Sequence, residues 1–98
     1  MPDARRSAAA TDHLVRGLVA AADQATRDHW TRYLKGQAVF RGVPMAGVRR
    51  TVRAVWVEHG LAAWDVDEVM ALASAWFAAA PTEDKLAGVL LLAEHLAP

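Results

Sequence analysis

Four histidines, two serines and eleven carboxylates are the side chains of this 98-residue chain that suggest proton transfer, nucleophilic attack or metal binding. Their spacing supports none of these. His13, His29, His59 and His95 fall on four separate segments, and none pairs with a second histidine or a carboxylate at metal-ligand spacing on one helix face. Ser7 and Ser74 have no local base and no nucleophile elbow. Without cysteine, disulfides, thiolate zinc sites and thiol catalysis are excluded. No glycine-rich phosphate loop occurs, since Gly36 and Gly42 read as a helix stop and a loop bend. No metal and no cofactor are expected. Trp64-Asp65-Val66-Asp67 sets an aromatic beside a carboxylate, but at the predicted start of a helix, where Asp65 serves as a cap.

What the chain does offer is charge, and it is unevenly spread. Residues 1–53 carry ten basic and four acidic side chains, while residues 54–98 carry Lys85 against seven acids. Between residues 27 and 53 lie Arg27, Arg32, Lys35, Arg41, Arg49, Arg50 and Arg53, opposed only by Asp28. A basic stretch of this kind in a chain of zero net charge points to a polyanion-binding face. The alternatives are that the two oppositely charged halves dock on each other or on a sibling chain, and, for each cation, a solvated surface position.

Five helices would carry these groups. Alanine makes up about a fifth of the chain, isoleucine is absent, and valine recurs at helical rather than alternating spacing, which predicts an all-α fold. A first helix is predicted over 8–22 on Leu14, Leu18 and Ala22, with Gly17 softening it by about 1 kcal/mol. A second spans 25–35, capped by Asp23 and ended by Gly36, with Trp30, Tyr33 and Leu34 on its apolar face. The loop over 36–44 holds Val39, Phe40 and Val43, which predicts an ordered connection tucked against the core. A third helix spans 46–59, with Val48, Val52, Val55 and His59 inward and Arg49, Arg50 and Arg53 on another face. A fourth spans 66–79 with Val66, Val69, Met70, Ala73, Trp76 and Phe77 as its stripe. A fifth opens at Pro81, with Glu83 and Asp84 complementing the helix dipole and Leu86, Val89, Leu90, Ala93 and Leu96 as the buried face. Trp30, Trp56, Trp64 and Trp76 are expected in packing positions.

Short connections between such helices predict stacked antiparallel pairs, the arrangement of a helical-repeat array. Two pairs and a leftover helix, the last nearly apolar all round, predict an incomplete array that continues or pairs with another chain. The N-terminal Met1-Pro2-Asp3-Ala4-Arg5-Arg6 is followed by Asp12, His13 and Arg16, so no secretory signal is read there. No apolar run nears the roughly 18 residues a membrane span needs, so a cytoplasmic protein without membrane partners is expected.

The segment Tyr33-Leu34-Lys35-Gly36-Gln37-Ala38-Val39-Phe40-Arg41-Gly42-Val43 resembles the N-terminus of AlkD-type DNA alkylation repair proteins, which are HEAT-like helical-repeat DNA glycosylases. Val48-Arg49-Arg50-Thr51-Val52-Arg53 and Gly88-Val89-Leu90-Leu91-Leu92-Ala93-Glu94-His95 continue the likeness over nearly the whole chain. One departure is Ala46 where the family opens its third helix with proline, Pro44 standing two residues earlier. Another is length: the family's catalytic Asp and its flanking Trp residues come from a later repeat. The resemblance implies a HEAT-like α-solenoid of about five helices, residues 1–98 forming its N-terminal part. It implies double-stranded DNA with alkylated bases as partner and excision of cationic N3- or N7-alkylated purines. This chain would supply DNA-binding helices and be inactive in isolation. Tyr33 is carried over to the lesion side, its alternative being a residue at the rim of the core. Lys35, Arg41, Arg49, Arg50 and Arg53, with Arg32 in support, are the expected phosphate contacts. A rival reading is a small interaction module that self-associates through residues 86–96 and has no DNA role.

Overall fold

The computed structural model describes residues 4–97; Met1, Pro2 and Asp3, the first residues of the N-terminus considered above, and Pro98 lie outside the described residues. Five helices follow in order: α1 (Ala4–Ala21), α2 (Gln24–Tyr33), α3 (Met45–Glu58), α4 (Val66–Phe77) and α5 (Thr82–Leu96), with a 3-10 turn at Leu61–Ala63 between α3 and α4. The fold is all-α. Among the described residues there is no strand, only an isolated bridge between Val39 and Pro81. The packing is compatible with a helical solenoid-like arrangement.

The stops are local chemistry. The Asp23 side chain accepts the Ala25 N–H at 2.9 Å and opens α2. Pro44 immediately precedes α3 and its carbonyl accepts the Gly47 and Val48 N–H groups, so the proline opens this helix despite Ala46. Lys85, the cation of the acidic half, sends its ammonium to the Phe77 and Ala79 carbonyls and covers the C-terminal end of α4. Asp65 stands at the N-cap of α4 as expected, its carbonyl accepting the Val69 N–H at 3.1 Å, but its side chain makes no capping bond.

α3 lies at the centre, packed on α1, α5 and the 3-10 turn, while α4 and α5 lie along each other, joined by residues 78–81. Val48, Val52 and Val55 are buried as their spacing predicts, facing Ala10, Leu14 and Leu18 of α1 within one apolar cluster. Gly17 explains itself here. A Cβ at that position would stand 2.6 Å from Thr51 Cγ2, so the residue that weakens α1 in isolation lets α1 approach α3.

Three faces differ from their expected phase. On α4, Val69, Leu72, Ala73 and Trp76 are buried, while Val66, Met70 and Phe77 are exposed. On α5 the inward residues are Glu83, Asp84, Ala87, Gly88 and Leu91; Leu86, Val89 and Leu96 are exposed. A shift of one residue turns a helix by about 100°, and α5, apolar on nearly every side, has no strong hydrophobic phase to resist it. What turns it is the pair of carboxylates in its first turn, described below. Finally, α2 has no buried residue at all. Its expected apolar face of Trp30, Tyr33 and Leu34 is exposed. Of the tryptophans, Trp64 and Trp76 are core, Trp76 donating to Thr11 Oγ1 at 3.0 Å, whereas Trp30 is on the surface.

Candidate nucleic-acid interface

α2 ends in a way the sequence does not advertise. The Gly36 N–H reaches back to the Thr31 carbonyl and the Lys35 N–H to the Arg32 carbonyl, which is the Schellman closure of a helix. The left-handed position usually given to glycine is held by Lys35, with φ of 54°. A side chain in that conformation costs about 1–2 kcal/mol. Next to it, Tyr33 is 69% exposed. Its ring lies parallel to His29 at 6.4 Å and edge-on to Trp30 at 5.8 Å. Tyr33 is therefore a surface aromatic braced by neighbours, not a rim residue of the core. The Arg32 and Lys35 side chains have no ion-pair partner among the described residues.

On α3, Arg49, Arg50 and Arg53 border one groove whose floor is Val52, Trp56, Leu90 and Ala93. Arg49 and Arg50 are exposed and also lack an ion-pair partner among the described residues. Arg53 meets Glu94 at 2.8 Å, with the Arg53 side chain 68% and the Glu94 side chain 37% exposed. Such a surface pair is worth only about 0–1 kcal/mol, so it leaves Arg53 able to exchange partners.

Arg41, also expected to contact phosphate, is placed differently from the other cations. Its guanidinium points inward and donates to both oxygens of Asp84, Nε at 2.7 Å and Nη2 at 3.0 Å. Glu83, beside it, accepts three backbone donors: the N–H of Arg41 at 2.9 Å on one oxygen, and those of Gly42 at 2.9 Å and Val43 at 3.1 Å on the other. Both carboxylates are 3% exposed. Hydrogen bonding to Asp84 raises the Arg41 pKa above its ordinary value; burial opposes the rise, and the negative charges of Asp84 and Glu83 add to it. The excess negative charge of this cluster is met by the three loop N–H groups and by the N-terminal end of α5. The loop over 36–44 is thus ordered, but largely by carboxylates. Val43 is buried and Phe40 partly so, whereas Val39 is exposed. Arg41 and its partners are more than 40 positions apart, so no local signal in the sequence marks this cluster.

The histidines also acquire partners through tertiary contact. His13 Nδ1 lies 3.1 Å from His59 Nε2, and the Glu58 carboxylate is 3.5 Å from His13. This ties α1 to the C-terminal end of α3. Among the described residues no group of three or more histidines, cysteines or carboxylates is arranged to hold a metal ion. None of the described helices is long and apolar enough to cross a membrane.

These features describe an all-helical protein with unpaired surface cations on two successive helices and an exposed aromatic at the end of the first. The sequence profile of the DNA alkylation repair enzyme family matches residues 14–97, and the chain belongs to that family. Membership points to DNA repair, with DNA as the partner. Neither the curated proteins nor the solved structures yield a match.

Proposed function

We propose that these helices grip duplex DNA in the repair of alkylated bases, with Arg49, Arg50 and Arg53 of α3 and Arg32 and Lys35 of α2 on phosphates and Tyr33 toward the damaged nucleotide. The observation that carries the reading is the pair Arg49 and Arg50, exposed and without a counter-charge among the described residues at the mouth of one groove. Unpaired guanidinium groups at a surface can neutralise phosphates and release the cations condensed on duplex DNA. An N3- or N7-alkylated purine is cationic, and the braced face of Tyr33 suits a cationic group. Cleaving the glycosidic bond develops positive charge on the sugar, which a carboxylate stabilises. Glu83 and Asp84 are buried and engaged with the loop, so neither carboxylate faces a sugar, and the role assigned to the cations of α2 and α3 is the grip on DNA and not the bond cleavage.

The test is duplex affinity as a function of salt for the chain and for the triple variant Arg49→Glu, Arg50→Glu, Arg53→Glu. The wild type is expected to bind weakly, with affinity falling steeply between 50 and 200 mM salt; the variant is expected to lose a slope of about two to three from its salt dependence. Equal affinity and slope in the two would remove α3 from the interface. The exposed Val89 and Leu96 favour a second reading, self-association through residues 86–96. A tight homodimer in sedimentation, without duplex affinity, would support that instead.

A further inference from the structure

A helix with no buried residue needs some other means of keeping its place. Hydrogen bonding and ring stacking tie α2 to residues 40–42, and Trp30 and Leu34 also border a small cavity with Val43, Met45 and Leu86. The Asp23 N–H, at the start of the helix, donates to the Gly42 carbonyl at 2.7 Å. Gly42 sits so close under the first turn that a Cβ there would be 2.5 Å from Arg27 Cβ and 2.6 Å from the Asp23 carbonyl oxygen, and its φ of +92° excludes other residues in any case. Further along, Trp30 stacks on Phe40 with ring centroids 6.2 Å apart. Residues 39–43 are themselves held by the first turn of α5. Thr82 donates its N–H and its hydroxyl to the Val39 carbonyl at 2.8 and 2.9 Å, Glu83 takes three loop N–H groups, and Asp84 takes the Arg41 guanidinium through two bonds.

We infer that Glu83 and Asp84, both buried, are positioning residues: through the loop they hold α2, and with it Tyr33 and Lys35, in a fixed orientation on the helical body. A segment without a fully buried residue has a low cost of local opening unless other contacts supply it. Here the tie from α2 is a backbone bond and a ring stack on the loop, and the loop in turn is fixed by charge-assisted bonds to two buried carboxylates, largely removed from water, where such bonds are strong. The acidic half of the chain thereby orients the basic half without touching the polyanion. The DNA part of this inference rests on the duplex-binding reading above, whereas the hold on α2 does not.

Hydrogen exchange across the full chain, read beside duplex affinity, tests both parts. In Glu83→Gln, amides of residues 27–36 are expected to exchange at least tenfold faster, while those of residues 49–56 in α3 stay within twofold. Duplex affinity is expected to fall several-fold, with the salt slope smaller by about one to two as Arg32 and Lys35 drop out. Should Glu83→Gln not fold, Arg41→Lys is read in the same way, since it keeps the charge and the Glu83 bonds but loses the two-pronged contact. Asp84→Glu, which retains the acceptor, is expected to restore part of the protection lost in Asp84→Ala. Unchanged exchange in α2, or loosening of α2 and α3 together, overturns the positioning role. Faster exchange confined to α2 with undiminished duplex affinity overturns its bearing on DNA. Absence of duplex binding by the wild type refutes the duplex-binding reading, and the exchange data then decide the hold on α2 alone.

Discussion

Replacing Arg41 by methionine keeps the aliphatic stem and removes the guanidinium, leaving the Asp84 carboxylate, 5% exposed as a side chain, without its two charged donors. Removing one partner of a buried ion pair costs about 3–5 kcal/mol. Two features lower that figure here. The Arg41 side chain is 22% exposed, so the pair is not wholly desolvated. Asp84 also lies in the first turn of α5, where the helix dipole contributes about 0.3–1 kcal/mol to a carboxylate. The expected cost of Arg41→Met is therefore about 2–3 kcal/mol, a large share of the roughly 5–15 kcal/mol that holds a domain folded. Asp84→Asn keeps one acceptor and leaves the cation partly in water, for a cost of about 1–2 kcal/mol. The double variant is expected to cost less than the sum by about 1–2 kcal/mol, because the second change removes the charge that the first leaves stranded. Urea unfolding followed by tryptophan fluorescence measures all three, with an unchanged slope confirming that the denatured state is not altered. If Arg41→Met costs no more than Asp84→Asn, or if the two effects simply add, the pair behaves as a screened surface contact and the argument from burial fails.

Lys35 offers a separation of stability from binding. Lys35→Gly relieves a left-handed side chain but frees the unfolded backbone, so stability is expected to stay level or rise by up to about 1 kcal/mol; duplex affinity is expected to fall and the salt slope to drop by about one. A stability loss with unchanged affinity would contradict both halves. The turned face of α5 is checked by two substitutions: Leu91→Ala is expected to cost about 2–5 kcal/mol as a buried leucine, while Val89→Lys is expected within about 0.5 kcal/mol of wild type. The reverse order would restore the face that apolar spacing alone suggests.

Helix positions were legible because their stops are short-range. Asp23, Pro44, Gly60 and Pro81 all stand at helix boundaries. The inward face of α3 was equally plain, since Val48, Val52 and Val55 alternate with arginines and leave one apolar side. In α5, by contrast, Val89-Leu90-Leu91-Leu92-Ala93 supplies an apolar residue to every direction, so spacing could not choose among them. The stripe of Trp30, Tyr33 and Leu34 was legible as a stripe, but not as an exposed one, because amphipathic spacing records a face and not whether anything covers it. Arg49, Arg50 and Arg53 could be assigned to one side of a helix; the groove they border needed α5 beside them.

From its residues alone the chain is committed to being helical, to breaking where it breaks, and to carrying its positive charge in the first half and its negative charge in the second. Those properties come from propensities, caps and counts that act within a turn or two of helix. Which cations remain available to DNA is another matter. Arg41 and Asp84 are separated by 43 positions, and Arg53 and Glu94 by 41. An ion pair depends on distance and on exclusion of water, and both are set only when α5 has docked against α3 and the loop before it. Packing alone made Arg41 a tie within the fold and left Arg49 and Arg50 at the surface.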